Sequence, residues 1–168
     1  PDRRVRRTAA MVVATLGDPQ SLTRLLARLK EEPDPAVREG LLTALGQLRN
    51  PDAIPVILVE ISNEDDAVSA TAAMALSRIA EEQPLITPTE ELAVNVLIDR
   101  YERASKQRKN GVKLREALLT AMGKIGHRNV FRRFRQACPT RTRRCDWPPL
   151  MRWPERKTRI PRPCWFIG

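Results

Sequence analysis

Apolar and small residues recur along the first three quarters of the chain at offsets 0, 4, 5, 8 and 11 within four segments. This spacing draws one stripe along an α-helix, whereas a β-strand would alternate every second residue. The pattern therefore predicts four helices. Their apolar columns are Val5, Ala9, Ala10, Val13 and Leu16; Val37, Leu41, Leu42, Leu45 and Leu48; Val68, Ala72, Ala73, Leu76 and Ile79; and Leu114, Leu118, Leu119, Met122 and Ile125.

A second helix is predicted after each of the first three segments, because apolar residues follow at offsets 0, 3, 4 and 7. Each unit is therefore predicted to be a hairpin of two helices. The second-helix columns are Leu22, Leu25, Leu26 and Leu29; Ile54, Ile57, Leu58 and Ile61; and Val94, Leu97, Ile98 and Tyr101.

Polar residues mark the predicted helix starts. Asp2, Asp34 and Asp65 each stand three residues before a first column, where a carboxylate can accept a hydrogen bond from a free backbone amide. The run TPTE at 87–90 predicts a capping box, with Thr87 as the cap of a longer second helix in the third unit.

One predicted helix has a near-copy later in the sequence. VREGLLTALGQL at 37–48 and LREALLTAMGKI at 114–125 are identical at seven of twelve positions. Two-helix units repeated at a regular period are typical of a solenoid, in which each hairpin buries its stripe by stacking on its neighbours. The ankyrin T-P-L-H signature and the bulky packing residues of tetratricopeptide repeats do not occur in this pattern.

The stretch DPAVREGLLTALGQLRNPDAIPVIL at 34–58, with LREALLTAMGKIG at 114–126, resembles the short HEAT repeats of phycobilisome-lyase type. The resemblance covers about residues 1–127. It implies an all-α fold, a right-handed α–α superhelix of three to four helical hairpins. We expect a solenoid over residues 1–138, with repeats at about 1–32, 33–64 and 65–107 and an incomplete one at 108–138.

In this family an Asp before the first helix and an Arg just inside it tend to form a ladder between repeats. Asp2 with Arg6 and Asp34 with Arg38 match that arrangement. The third unit has Ser69 at the arginine position, so the resemblance does not extend the ladder there.

Composition divides the chain near residue 127. Residues 1–127 hold 18 Lys+Arg and 18 Asp+Glu, whereas residues 128–168 hold 12 and 2, so the last 41 residues account for the whole formal charge of +10. In the fourth unit the second-helix pattern begins with Phe131 and Phe134 but then places Arg135 in the stripe. It ends after Cys138.

Residues 139–168 form an irregular basic segment rich in Pro, Arg and Trp. Three interpretations compete. A zinc site needs closely paired ligands, but Cys138, Cys145 and Cys164 are 7 and 19 residues apart. A basic arm would bind nucleic acid through phosphates and stacked Trp rings. We favour the third interpretation, a disordered segment or the product of a high-GC gene read out of frame.

Candidate chemistry is sparse in this sequence. His127 is the only histidine, so the repeated His-Glu pairs with which the HEAT-like deoxyhypusine hydroxylases bind iron have no counterpart. Phosphate-binding P-loop, nucleophile-elbow and dinucleotide motifs are also missing from the sequence. We therefore expect no catalytic residue, no metal and no cofactor.

Two sets of residues are candidates for binding. The resemblance implies that the second helices line the concave face of the solenoid, although packing against neighbouring helices is a competing interpretation of the same positions. The candidate partner-binding residues there are Arg24, Arg28, Val56, Val59, Glu60, Val96 and Arg100. A basic run around residues 110–111 is either a site for an anionic partner or a solvated loop. Its candidate residues are Arg103, Lys106, Arg108, Lys109, Lys113 and Arg115.

These features favour a non-catalytic scaffold that binds a protein on its concave face. Two alternatives stay open: a phycobilisome-type chromophore lyase subunit, and a HEAT-like nucleic-acid-binding protein similar to alkylpurine DNA glycosylases. The balanced charge of residues 1–127 argues against nucleic acid for that part. Partner identity and oligomeric state do not follow from the sequence.

The chain begins with Pro1 inside a helical unit, so we expect it to be part of a larger protein. The longest apolar runs, such as residues 54–59, are far shorter than the roughly 18 residues that cross a membrane. With no secretory signal in the sequence, we expect a cytoplasmic protein without membrane contact.

Overall fold

The computed structural model describes residues 2–16, 20–83, 85–86, 88–106 and 111–125. These residues form seven α-helices and one short 3-10 helix, and no β-strand occurs among them, which confirms the all-α prediction. The helices are α1 Arg3–Leu16, α2 Ser21–Glu31, α3 Pro35–Leu48, α4 Ile54–Ile61, α5 Asp66–Glu82, α6 Thr89–Lys106 and α7 Val112–Ile125, with the 3-10 helix at Pro51–Ala53.

The helices are arranged in two rows. The first helices of successive hairpins stack in order, α1 on α3, α3 on α5 and α5 on α7. Each second helix packs on the first helix of the next hairpin, so that α2 contacts α3, α4 contacts α5 and α6 contacts α7. This arrangement is an α-solenoid, as predicted. Residues 126–138 of the predicted fourth repeat, and the segment 139–168, lie outside the described residues.

The aspartates start the helices as expected. Asp34 accepts hydrogen bonds from the backbone amides two and three residues ahead, at 2.9 and 3.4 Å, and Asp65 accepts the same pair at 2.8 and 3.2 Å. Asp2 accepts one from the amide of Arg4 at 3.1 Å. All three predicted caps are confirmed, whereas the predicted cap Thr87 lies outside the described residues.

The apolar columns form one continuous core in the middle of the stack. Leu42, Leu45 and Leu76 are fully buried there. The columns of α1 are different, because Val5 and Leu16 are 59% and 74% exposed. The helical period placed them on the stripe correctly, but no helix of the described part of the chain covers that side of α1.

Successive first helices approach closely where a small residue faces the next helix. A Cβ atom built on Gly46 of α3 would lie 2.9 Å from the Cα and 3.1 Å from the Cβ of Ala75 in α5. The obstructing atoms include backbone, which cannot turn away as a flexible side chain can. Glycine at this position therefore sets how near α5 can come to α3.

Replacing Leu45 by Ala tests the core assignment. Leu45 is fully buried, so Leu45→Ala removes its packing and leaves a cavity that costs about 2 to 5 kcal/mol of unfolding free energy. Leu92→Ala is the matched control, because Leu92 is 56% exposed and its loss should cost under about 0.5 kcal/mol. Urea unfolding followed by circular dichroism measures both. Equal losses for the two variants would contradict the predicted columns.

Adding a methyl group at two glycines tests the close approach of the first helices. Gly46→Ala forces α3 and α5 apart and should cost about 1 to 3 kcal/mol, the usual penalty for overpacking. Gly123→Ala in α7 should instead gain up to about 1 kcal/mol, because no described atom lies within 4 Å and alanine favours the helix. Urea unfolding measures the free energy of unfolding of both variants. A stabilising effect of Gly46→Ala would show that the contact between α3 and α5 is not tight.

Candidate functional site

Among the described residues, a buried polar cluster surrounds Glu32, which follows α2 and is 1% exposed. Arg6 of α1 donates two hydrogen bonds to its carboxylate, from Nε at 3.0 Å and from Nη2 at 2.9 Å. Arg28 of α2 donates a third at 2.8 Å, and the backbone amide of Asp34 a fourth at 3.3 Å. One carboxylate thus joins both helices of the first hairpin to the start of α3.

These hydrogen bonds keep Glu32 ionised. The bond from Arg6 is the main cause that lowers the pKa of Glu32, and the Asp34 amide and Arg28 act in the same direction against burial, which raises it. The same bond raises the pKa of Arg6. The pair is therefore held in its charged form at neutral pH, as expected of a structural ion pair rather than of a proton donor.

The second hairpin contains a similar ion pair. Arg38 of α3 donates to Glu60 of α4 at 2.5 Å and to the backbone carbonyl of Glu32 at 2.9 Å, so it joins the first and second hairpins. The amide of Asn63 also donates to Glu60, at 3.2 Å. The predicted ladder is modified here, since the charges of Asp2 and Asp34 act on Arg6 but the hydrogen bonds described above go to Glu32. Glu32 and Glu60 accept from Arg6 and Arg38, while the carboxylate of Asp34 caps a helix.

In the third hairpin the charges are exchanged between the two helices. Arg100 of α6 donates to the Ser69 hydroxyl at 3.1 Å and to Asp66 of α5 at 2.7 Å. The Ser69 hydroxyl in turn donates to the backbone carbonyl of Ile61 at 2.6 Å, which joins the second and third hairpins. The link expected to be missing at Ser69 is therefore present, with its cation on the second helix.

The exchange corresponds to a shared spacing in the sequences of the second helices. Glu60 and Arg100 each stand six residues after the first apolar column of their helix, so an acid in one hairpin corresponds to a base in the next. The first-helix position alone, where Ser69 stands in place of Arg38, does not reveal the exchange.

Burial divides the seven candidate partner-binding residues. Glu60 and Arg100 are only 6% and 5% exposed and are bonded inside the charged clusters, so we withdraw both from the set. Val56 and Val96 are half-buried and pack against the core. This agrees with the competing interpretation, in which these positions pack against neighbouring helices.

The remaining three candidates are on the surface. Val59 is 70% exposed on α4. Arg24 is exposed and donates to the side chain of Gln20 at 3.2 Å, and Arg28 is exposed beside Glu32. The structure therefore leaves an apolar side chain on α4 and two arginines on α2 accessible to a partner.

The basic run is only partly brought together. Arg103 and Lys106 are exposed at the end of α6 and line an open depression of about 490 Å³ with residues of the loop after α4, among them the acidic Glu64. Lys113 and Arg115 lie at the start of α7 and do not line it. The candidates Arg108 and Lys109 lie outside the described residues.

Within the described residues, no group of three or more His, Cys, Asp or Glu side chains is placed to hold a metal ion. His127 and the three cysteines lie outside this part of the chain. None of the described helices combines the length and the apolar character needed to cross a membrane.

The lowered pKa of Glu32 predicts how stability depends on pH. The pKa of Glu32 in the folded protein lies below the ordinary 4.5. The ionised pair therefore stabilises the fold fully above pH 4.5, and this stabilisation is lost as the pH falls through the pKa of the folded protein. Glu32→Gln should be less stable than the natural chain at pH 7, with a difference that narrows as the pH falls below 4.5.

Urea unfolding between pH 7 and pH 3 measures this difference. Glu31→Gln is the matched control, because the Glu31 side chain is 75% exposed and its ion-pair distance to Arg28 is 3.9 Å. This substitution should change the free energy of unfolding little at either pH. A Glu32→Gln deficit of the same size at every pH would disprove the role of the ionised pair.

The fold and the repeating clusters agree with the comparisons to known families. The family model for HEAT repeats matches residues 22–111, from α2 to the residue before α7, which is just over half of the chain. The model for the PBS lyase HEAT-like repeat matches residues 5–31, which span α1 and α2. The curated proteins give no match. The chain therefore belongs to the HEAT-repeat proteins and contains repeats of the PBS-lyase-like type.

Proposed function

We propose that this chain is a non-catalytic scaffold that binds a protein partner on the face formed by its second helices. The observation that supports it is the 70% exposure of Val59 on α4, the middle second helix. Val56 lies one turn away on the same side of α4, and Val96 has the corresponding position on the neighbouring α6. We call the exposed Val59 and the half-buried Val56 and Val96 the valine patch.

The surroundings of the valine patch suit a binding surface. Glu60 directly follows Val59, and Arg100 stands four residues after Val96; their ion pairs hold α4 to α3 and α6 to α5. Arg24 and Arg28 provide positive charge on α2, the second helix of the first hairpin. Binding surfaces commonly combine a small apolar centre with a polar rim, and a rigid base avoids the entropic cost of ordering loops.

The absence of a catalytic role is also part of the proposal. The buried acids and bases of the described residues are engaged in links between helices, Glu32 with Arg6, Glu60 with Arg38 and Arg100 with Asp66. Groups held in this way have little freedom to exchange protons with a substrate, whereas the accessible groups of the second-helix face suit contact with a protein.

Replacing Val59 by Asp tests the valine patch. The immobilised full chain would be used to retain proteins from a lysate of the source organism, and each retained protein would then be purified and titrated calorimetrically. Val59→Asp should weaken a specific partner at least about tenfold, since it places a charge in the apolar centre of the contact. Met74→Asp is the matched control, because Met74 is 50% exposed on the first helix α5.

We expect the partner to lose affinity for Val59→Asp and to keep it for Met74→Asp. Circular dichroism would verify that both variants are folded. A natural chain that retains nothing, or a partner that binds Val59→Asp and the natural chain equally well, would refute the proposal. An equal loss for both variants would place the contact elsewhere and would refute it as well.

A second candidate function rests on the match of residues 5–31 to the PBS lyase HEAT-like repeat. On this hypothesis the chain assists the attachment of a bilin to a cysteine of a partner protein. Purified full chain, a bilin and an acceptor protein would be incubated, and covalent attachment would be followed by absorbance and mass. Transfer above the uncatalysed rate would favour this candidate over the scaffold.

A further inference from the structure

An open depression of about 490 Å³ lies between α6 and the loop that follows α4. Arg100, Arg103 and Lys106 line it from one side of α6, since residues three apart on a helix are neighbours on its surface. The other lining residues, Ser62, Asn63 and Glu64, belong to the loop. The depression therefore brings three cations of one helix close to a short polar segment that contains one acid.

Arg100 gives the depression a fixed donor. Its side chain is only 6% exposed, and two of its nitrogens are engaged, Nε with the Ser69 hydroxyl and Nη2 with Asp66. The third nitrogen, Nη1, makes no hydrogen bond within the described residues and is not fully buried. The other two bonds hold the guanidinium in place, so Nη1 can meet an acceptor at little entropic cost.

The depression has further donors that are not engaged. Arg103 is exposed and donates from Nε to the backbone carbonyl of Asp99 at 3.4 Å, which leaves both of its Nη nitrogens. Lys106 and Ser62 are also exposed. Within the described residues, Arg103 and Lys106 are in no ion pair, and the Ser62 hydroxyl makes no hydrogen bond. Four side chains thus present donors to a ligand, whereas Glu64 is the one acid among the described lining residues.

The charge of the depression decides which anion fits it. Asp66 neutralises Arg100. The remaining lining charges are Arg103 and Lys106 against Glu64, an excess of one positive charge. A carboxylate carries one negative charge and accepts paired N–H bonds from a guanidinium, so it balances this excess. A phosphate monoester carries nearly two negative charges at neutral pH and would leave uncompensated charge beside Glu64. The charge balance therefore favours a carboxylate.

The depression borders the valine patch. Ser62 follows Val59 by three residues and keeps a helical backbone conformation at the end of α4, with φ −81° and ψ −1°. The two residues are therefore about one turn apart on the same helix. On α6, Arg100 follows Val96 by four residues. An apolar group on the valine patch and an anionic group in the depression can thus belong to one bound segment.

We propose that the depression binds an acidic side chain of the protein partner, next to an apolar residue of that partner on the valine patch. This inference rests on the proposed function, since it takes the partner to be a protein that binds the second-helix face. The valine patch favours any apolar surface. The depression discriminates, because its cations lose water on binding and regain strong hydrogen bonds only from a partner with an acid at this point.

Calorimetric titration of the full chain with two short peptides tests the site. One peptide alternates leucine and glutamate, and the other has glutamine in place of each glutamate. The glutamate peptide should bind about three- to tenfold more tightly, since hydrogen bonds between charged groups are stronger than those to a neutral amide. Equal binding of the two peptides, or binding of neither, would overturn the inference.

Substitution of the lining cations locates the effect. Arg103→Gln and Lys106→Gln should each remove most of the advantage of the glutamate peptide. Lys113→Gln is the matched control, because Lys113 is exposed and loses the same charge but does not line the depression. Circular dichroism would verify that each variant folds. An equal loss in the control would contradict the site, and tighter binding of a peptide with phosphoserine in place of glutamate would contradict the choice of a carboxylate.

Val59→Ser separates this inference from the proposed function. It removes apolar surface without adding charge, so it should weaken both peptides and preserve the ratio of their affinities. If Val59→Ser changes neither affinity while Arg103→Gln still removes the preference, the depression binds carboxylates and the valine patch is wrong. If Val59→Ser weakens both peptides while Arg103→Gln leaves the preference unchanged, the valine patch stands and the inference about the depression is overturned.

Discussion

The close contact between successive first helices is the interaction on which the rest of this structure depends. Gly46 lets α3 approach the backbone of Ala75 in α5, and at that distance the leucines beside it, such as Leu45, are buried completely. A hairpin alone would leave much of its stripe in water, so each unit is stable only when a neighbour lies on it. The small residues at the closest approach therefore determine the spacing of the whole array.

The buried ion pairs have a different role from the apolar contacts. Removing charges from water is costly, so such pairs contribute less to net stability than their short distances suggest. They do restrict which residues can face one another, since Arg38 meets both Glu60 and the carbonyl of Glu32. The reversed pair of Arg100 with Asp66 keeps the link in the third hairpin and differs from the other two in polarity. This difference is consistent with a role in fixing the order in which helices pair.

The sequence predicted the helices and their order because helical period and aspartate caps are local signals. Val5 and Val37 are the same residue type in the same column, yet Val5 is 59% exposed and Val37 is 1% exposed, because among the described helices only Val37 has another first helix over it. The same limit affected the candidate site. Glu60 and Arg100 lie between the apolar columns of their helices, so periodicity placed them on the surface, and their burial depends on Arg38 and Asp66 across the hairpin.

Stacking uses the sides of the first helices that face the preceding and the following hairpin, and it leaves part of the second helices free of that constraint. A substitution at Gly46 must satisfy the backbone of the next hairpin, whereas one at Val59 faces mostly solvent. The second-helix face can therefore change its chemistry without changing the spacing of the array.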